Sequence, residues 1–218
     1  MKYVHEADAA LNNKRIETLK YSFDIPKKQK ISKQVTIYWK GVLPAPPAND
    51  SDVTRDELEY LSDLTRLRTP QEEELVRLVD DDPLRLYLDV AKKRRIRLPK
   101  QRIKRAWNIC WPVVRNLKWQ YNRPRPEQLG STLGYNIKVM KTDTHQTPAY
   151  PSGHTVYAGL IAAIASEEHP EYSSEFYQLV GTVGLARCLQ GVHYPTDNDA
   201  SMVISGASKS SGGTSRFL

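Results

Sequence analysis

Three short segments of this chain carry residue types that work together. Lys118 is followed, after six residues, by Arg125-Pro126. Pro151-Ser152-Gly153-His154 comes next, and then Arg187, with His193 and Asp197 after gaps of five and three residues. Together they supply three cations, a turn containing glycine, two imidazoles and a carboxylate. That set is sufficient to hold a phosphate and transfer it to a histidine.

The last segment is the most informative. Pro195 favours a helix start just after His193, which puts Asp197 in the first turn, where the helix dipole favours a carboxylate. From there it can accept a hydrogen bond from one ring nitrogen of His193, fixing the tautomer and leaving the other nitrogen as a nucleophile. Arg187, near the end of the preceding helix, can bring a guanidinium to the same place. In the middle segment Gly153 leaves the backbone uncrowded, so the N–H groups of Ser152 and Gly153 can face an anion where a helix begins. Ser152 adds a hydroxyl, and a protonated His154 can give its proton to a departing alkoxide. Lys118 and Arg125 offer a point charge and a bidentate grip on phosphate oxygens. Each segment also has a plain structural reading: a loop histidine with a helix-capping carboxylate, a serine N-cap with an incidental histidine, and a chance spacing in a basic stretch.

The elements that must position these residues read as helices. A first helix is expected over 6–20, then an irregular stretch over 24–50 with a β-prone run at 35–39. Ser51 or Asp52 caps a helix to about Arg68. Thr69-Pro70 with Glu72 reads as a capping box, and Asp82-Pro83 repeats the cap-plus-proline signature. Pro99 opens a helix to Tyr121, and Asn122 to Pro126 must be extended. Further helices are expected over 154–167, 174–189 and from Pro195 to Gly206, with Gly181 and Gly184 allowing a neighbour close approach. The class is all-α, a single-domain helical bundle. The tail from Ser208 to Leu218 is expected to be disordered.

Composition narrows the function. The chain has 218 residues and a net charge of +7. Arg85 to Arg125 is dense in Lys and Arg, which suits an anionic substrate, a nucleotide or nucleic acid, or an acidic membrane surface, unless it is a solvated face paired with the acidic stretch from Asp50 to Asp82. The longest nearly apolar run, Val156 to Ala165, is too short to cross a bilayer. MKYVHEADAALNN lacks an apolar leader core, so no export signal and a cytoplasmic location are expected. Cys110 and Cys188 are expected to be free thiols. No Cys/His grouping has metal-ligand spacing, and there is no P-loop or dinucleotide fingerprint. Asp80-Asp81-Asp82 reads as a cap and solvated turn, His5 as a surface residue, His145 as a pocket-rim residue and His169 as a helix C-terminal cap. Trp119, Tyr121, Tyr150 and Tyr194 are expected to wall the pocket.

With these residues in place, the chain resembles the type 2 phosphatidic acid phosphatase (PAP2) superfamily, which includes the vanadium haloperoxidases. The pattern K-x6-R-P, P-S-G-H, S-R-x5-H-x3-D is present in order, except that Ala186 stands where the family usually has Ser. Within the superfamily the chain is most similar to the soluble bacterial class A nonspecific acid phosphatases, through Leu43 to Ser51, Tyr150 to Thr155 and Gly191 to Ala200. The resemblance covers roughly 40–207, leaving 1–39 as an N-terminal extension and 208–218 as a tail. It implies metal-independent hydrolysis of a small phosphorylated substrate, with no cofactor and with vanadate binding the phosphate pocket as an inhibitor. His193 would attack phosphorus, Asp197 orient it, and His154 protonate the leaving group. Lys118, Arg125, Arg187, Ser152 and Gly153 would bind the phosphate. Homo-oligomers are expected from such relatives. The alternatives are a vanadate-dependent haloperoxidase and a basic nucleic-acid- or nucleotide-binding protein without phosphatase activity.

Overall fold

The computed structural model describes residues 12–24 and 42–206. The helix starts fall where polar caps and prolines put them. The Ser51 hydroxyl accepts from the Thr54 N–H at 3.3 Å and opens α1, Asp52–Leu67. Thr69 and Glu72 form a reciprocal capping box at the start of α2, Pro70–Asp81, with the Thr69 N–H donating to the Glu72 carboxylate at 2.7 Å. The Asp82 carboxylate then accepts from the Leu84 N–H at 2.9 Å, and α3, Leu84–Arg94, follows. Helix α4, Lys100–Tyr121, ends on Asn122 in a left-handed conformation, with φ 49°. The chain is extended at Arg125 and enters a short helix, α5, Pro126–Leu133. Then come α6, Gly153–Glu168, α7, Ser173–Leu189, and α8, Pro195–Ser205. The described residues contain no strand, and none of the helices is long and apolar enough to cross a membrane.

Helix α6 has small or apolar side chains on almost every side, so no edge of it suits water, and such a helix has to be enclosed. It packs mainly against α7, with α8 and α4 also on it, while α2 and α1 cover α7. Ala158, Ile161, Ala162 and Ala165 of α6 meet Phe176, Val180 and Val183 of α7 in the largest core cluster. Tyr87 of α3 reaches into that core and satisfies its hydroxyl by donating to the Ala158 carbonyl at 2.9 Å. Gly184 allows the close approach its type suggested. A Cβ there would come within 3.3 Å of Asn198, whose amide donates to the Gly184 carbonyl at 3.1 Å.

Of the helix expected over 6–20, residues 12–18 are helical, residues 19 and 20 are not, and 6–11 lie outside the described residues, as do the β-prone run at 35–39 and the tail from Ser208. Residues 12–24 pack on the helical domain. The Tyr21 N–H donates to the Asn122 carbonyl at 3.1 Å, and the Gln128 side chain donates to the Tyr21 carbonyl at 3.2 Å. Asn49 donates to the carbonyls of Ile16 and Leu19. Tyr21 also meets Trp119 edge-on, with ring centres 6.0 Å apart. The start of the described chain therefore braces the Asn122–Gln128 turn that carries Arg125.

Candidate active site

Helix α7 ends at Leu189, and the chain must turn sharply to deliver His193. Gly191 makes that turn with φ 80°, and a Cβ there would lie 3.0 to 3.3 Å from Ile137, Thr65 and Val139. Pro195 then starts α8, and Asp197 occupies its first turn. One carboxylate oxygen of Asp197 accepts from the Tyr194 N–H and lies 3.0 Å from His193 Nδ1. The other ring nitrogen, Nε2, is 3.0 Å from Arg125 Nη1. A guanidinium can only donate, and a carboxylate can only accept from the ring. Both contacts therefore demand the same tautomer, with the proton on Nδ1 and a lone pair on Nε2. Burial, and then the charges of Arg125, Lys118 and Arg187, hold the His193 pKa well below its ordinary value, so the ring is neutral.

The second Asp197 oxygen accepts from Arg123 Nη1 at 2.6 Å. Arg123 is almost wholly buried, and its other arm donates to Glu57 at 3.0 Å. Its guanidinium carbon lies 3.7 Å from the centre of the Tyr194 ring. Glu57 in turn accepts from the Thr196 N–H at 2.7 Å, the start of the helix that bears Asp197. Glu57, Arg123, Asp197 and His193 thus form one buried chain. Burial works against the Arg123 charge, but Asp197 and Glu57 more than offset it and hold its pKa above the usual guanidinium value.

All three expected cations are buried; Lys118 and Arg125 border the cavity, and Arg187 lies behind its rim against Asp80. Lys118, in the last turn of α4, donates to the carbonyls of Pro148 and Ala149 at 2.8 and 3.2 Å. Arg125 donates to the carbonyls of Thr147 and Val192 at 2.8 and 2.6 Å. Burial, then Arg187, brings the Arg125 pKa down to about 10, and burial with Arg125 pushes Lys118 well down. Arg187 donates through Nη1 to Asp80 at 2.5 Å and through Nη2 to Thr144 at 3.3 Å. Its Nε is buried and has no protein partner, an N–H that an anion can satisfy.

The middle segment is only partly as expected. Gly153 borders the cavity, and a Cβ on it would sit 3.3 Å from the Trp111 ring, so glycine lets the indole close on the start of α6. The Ser152 N–H, however, is already given to the Asp197 carbonyl at 3.2 Å, and its hydroxyl bonds to Thr155 at 3.0 Å. Ser152 is fully buried beside the cavity and does not border it. His154 does border the cavity, and its Nε2 lies 3.2 Å from the Asp80 carbonyl. Burial and the Arg187 charge lower its pKa to about 3.

The cavity has a volume of about 460 Å³. Its floor carries Lys118, Arg125, His154 and His193, and its sides are Asp80 to Pro83, then Asp143, Thr144, Gln146 and Thr147, and an aromatic wall of Trp107, Trp111 and Tyr157. Those aromatics correct the expected wall. Trp119 packs on Tyr21, Tyr121 packs on Tyr150, and Tyr194 lies beneath Arg123. His145 lines a neighbouring cavity of about 380 Å³ that shares Arg125 and Gln146. His169 is the C-cap of α6, as its position suggested. Asp80 corrects a second expectation. Its neighbours behave as a turn, with Asp81 pairing to Arg85 and Asp82 starting α3, but Asp80 points inward to Arg187. The basic stretch is likewise not one surface. Lys118, Arg123 and Arg125 are buried here, and Arg94 and Arg102 pair with Glu175 and with Glu167 and Glu168. Both cysteines are free; burial pushes the Cys188 thiol far up despite the adjacent Arg187. Among the described residues no three of His, Cys, Asp and Glu are grouped to hold a metal.

The neutral imidazoles make stability pH-dependent in a definite sense. In the unfolded chain both protonate below about pH 6.5, whereas folded His154 resists until about pH 3. Their contribution is therefore complete above about pH 7 and is lost as the pH falls from about 6.5 toward about 3. Thermal melts should show a lower Tm at about pH 4 than at about pH 7, with a shallower dependence in His154→Asn. Equal pH dependence in that variant would refute the assignment to this ring.

The site is a cationic pocket with an imidazole oriented from both sides of its ring, built on an all-α fold. Residues 108–209, which contain all three chemistry-bearing segments, match the PAP2 superfamily. The chain is also similar to the non-specific acid phosphatase of Salmonella typhimurium, 25% identical over 178 residues, which span 74% of this chain and 68% of that protein. The Salmonella typhi non-specific acid phosphatase is 24% identical over the same length, and that of Providencia stuartii is 28% identical over 92 residues, 42% of this chain and 37% of that protein. Among solved structures, a transmembrane PAP2-type phosphatidylglycerolphosphate phosphatase from Bacillus subtilis aligns with a TM-score of 0.47 and 15% identity, covering 85% of this chain and 96% of that one.

Proposed function

We propose that this chain hydrolyses phosphate monoesters through a phosphohistidine at His193. The observation that carries the reading is the lone pair on His193 Nε2 at the cationic end of the cavity, with its tautomer demanded from both sides of the ring. The kinship with non-specific acid phosphatases supports the same reaction class. In the first step Nε2 forms a bond to phosphorus while the ester P–O bond breaks, and protonated His154 gives its proton to the departing alkoxide. In the second step water attacks phosphorus, His154 takes a proton from it, and the N–P bond breaks to restore neutral His193 and release phosphate. Lys118, Arg125 and Arg187 balance the charge on the non-bridging oxygens throughout, and such fixed positive charge is the main requirement of phosphoryl transfer. The positive end of α6, with the Gly153 N–H, adds to it. The reaction needs no cofactor, and vanadate competes for the same pocket.

His154 has to be charged when substrate is bound. A bound phosphate dianion raises the pKa that burial and Arg187 have pushed down, but the alkaline limb set by loss of that proton still falls on the low side of neutrality. Turnover of an aryl phosphate should therefore be greatest in mildly acid solution, persist in excess EDTA, and leave a base-stable, acid-labile phosphoryl group on the protein after rapid quenching. Loss of activity with the chelator, or an acid-stable phosphoryl adduct, would overturn this reading.

A further inference from the structure

Asp80 is tied to the site at both of its ends. Its carboxylate Oδ1 accepts from Arg187 Nη1 and from the Thr144 hydroxyl, both at 2.5 Å, and from the Thr142 hydroxyl and Gln190 Nε2, both at 3.2 Å. Thr144 also accepts from Arg187 Nη2 at 3.3 Å, which closes a triangle around the guanidinium. Two of the three Arg187 nitrogens are thereby engaged, while the buried Nε has no protein partner. The backbone carbonyl of the same residue lies 3.2 Å from His154 Nε2. A carbonyl can only accept, so Nε2 carries a proton and Nδ1 is the ring atom left to exchange one.

We propose that Asp80 is a positioning residue for the reaction. Its carboxylate clamps Arg187 so that Nε faces the phosphate, and its carbonyl sets the His154 tautomer so that Nδ1 delivers the proton to the leaving group. This rests on the phosphatase reading above and adds a partner for the second imidazole, as Asp197 is for the first. The carboxylate also has an electrostatic role. The charged groups facing His154 are Asp80 from α2, Arg187 from α7 and Lys118 from α4, with neutral His193 beside it. Asp81, Asp82 and Asp143 also line the cavity, but Asp80 is the carboxylate that bears most strongly on His154, and it favours the charged, proton-donating ring. Burial opposes its own ionisation, but the hydrogen bonds from Thr144 and Arg187 more than offset that and bring its pKa to about 2, so it stays charged through the working range.

The opposing effects on binding and turnover give the proposal a signature. Asp80→Asn keeps an oxygen to accept from Arg187 but removes a negative charge from beside an anion site, so inorganic phosphate and vanadate should inhibit at equal or lower concentration than in the wild type. The same change removes the charge that favours protonated His154, so kcat at about pH 6 should fall about tenfold or more. The alkaline limb of the kcat profile should move to lower pH by about one unit. Asp80→Glu, which keeps the charge, should restore part of that displacement. A variant with wild-type kcat and an unmoved limb would overturn the proposal. So would weaker phosphate inhibition together with a lower Tm and an unmoved limb, the pattern of a merely structural residue. If the wild-type chain hydrolyses no phosphomonoester, the phosphatase reading itself fails. If it does and Asp80→Asn matches it, only the role of Asp80 fails.

Discussion

On the proposed mechanism, His193→Ala is expected to lower turnover of an aryl phosphate by about 10⁴-fold or more, because no neighbouring group can take over its attack. His154 borders the same cavity, but its Nε2 is bound to the Asp80 carbonyl, and it lacks a carboxylate on the ring to orient it for attack. The cations remain in the variant, since the hydrogen bonds of Lys118 and Arg187 do not involve His193, and Arg125 keeps two carbonyl acceptors. Phosphate should therefore still bind the His193→Ala protein while the quenched phosphoryl adduct disappears. Steady-state assays with a phosphate-binding titration separate the two effects. Wild-type turnover in this variant would remove His193 from the mechanism.

The next largest expected effect lies behind His193. Arg123→Met leaves Glu57 and Asp197 facing each other's charge in a dry site with no cation between them. Breaking a buried ion pair by removing one partner costs about 3–5 kcal/mol, because the other charge is left buried. For a domain of this size that corresponds to a fall in Tm of roughly 10 °C. Turnover should drop as well, by about 10–100-fold, since losing the partner of an orienting group loosens that group. Glu57, whose pKa burial already pushes up, can escape the penalty by binding a proton, so the loss of stability should be greater at about pH 8 than at about pH 5. Adding Glu57→Gln to Arg123→Met should recover part of the Tm, because one of the stranded charges is gone. Denaturation at the two pH values, on the single and double variants, tests the argument. A pH-independent loss with no recovery would mean that shape, and not charge, is what Arg123 supplies.

The sequence was most legible where one residue type has one use. Thr69-Pro70 with Glu72 forms the capping box it promised, and Pro195 starts the helix that carries Asp197. His193, Asp197, Lys118, Arg125, Arg187 and His154 were recognisable by spacing, and the fold brings them to one cavity or its edge. Arg123, Glu57 and Asp80 were not recognised, for a common physical reason. Each is a charged residue among others of its kind: Arg123 beside Arg125, Glu57 on a helix rich in acids, and Asp80 in a run of three. What distinguishes them is burial against an opposite charge, which depends on how α1, α2 and the 122–126 turn pack and has no local signature. Helix α5 escaped notice because it is only eight residues long and contains Gly130, which gives the helical pattern little length to register. The aromatic wall was misplaced because the tryptophans at 107 and 111 sit a turn or more before Lys118, on the side of α4 that Gly153 allows to close over the cavity.

The groups that hold charge and carry protons come from the ends of helices and from the loop carbonyls that brace them. The aromatic wall at Trp107, Trp111 and Tyr157 stands apart from those hydrogen bonds, with its rings packed on one another at 4.9 to 5.4 Å. Side chains along that wall can therefore be exchanged without disturbing the hydrogen bonds that hold the cations and the two imidazoles. Such a division lets one reactive centre diversify over many leaving groups, and it marks the wall as the place where a mutational library would alter preference before it costs reactivity.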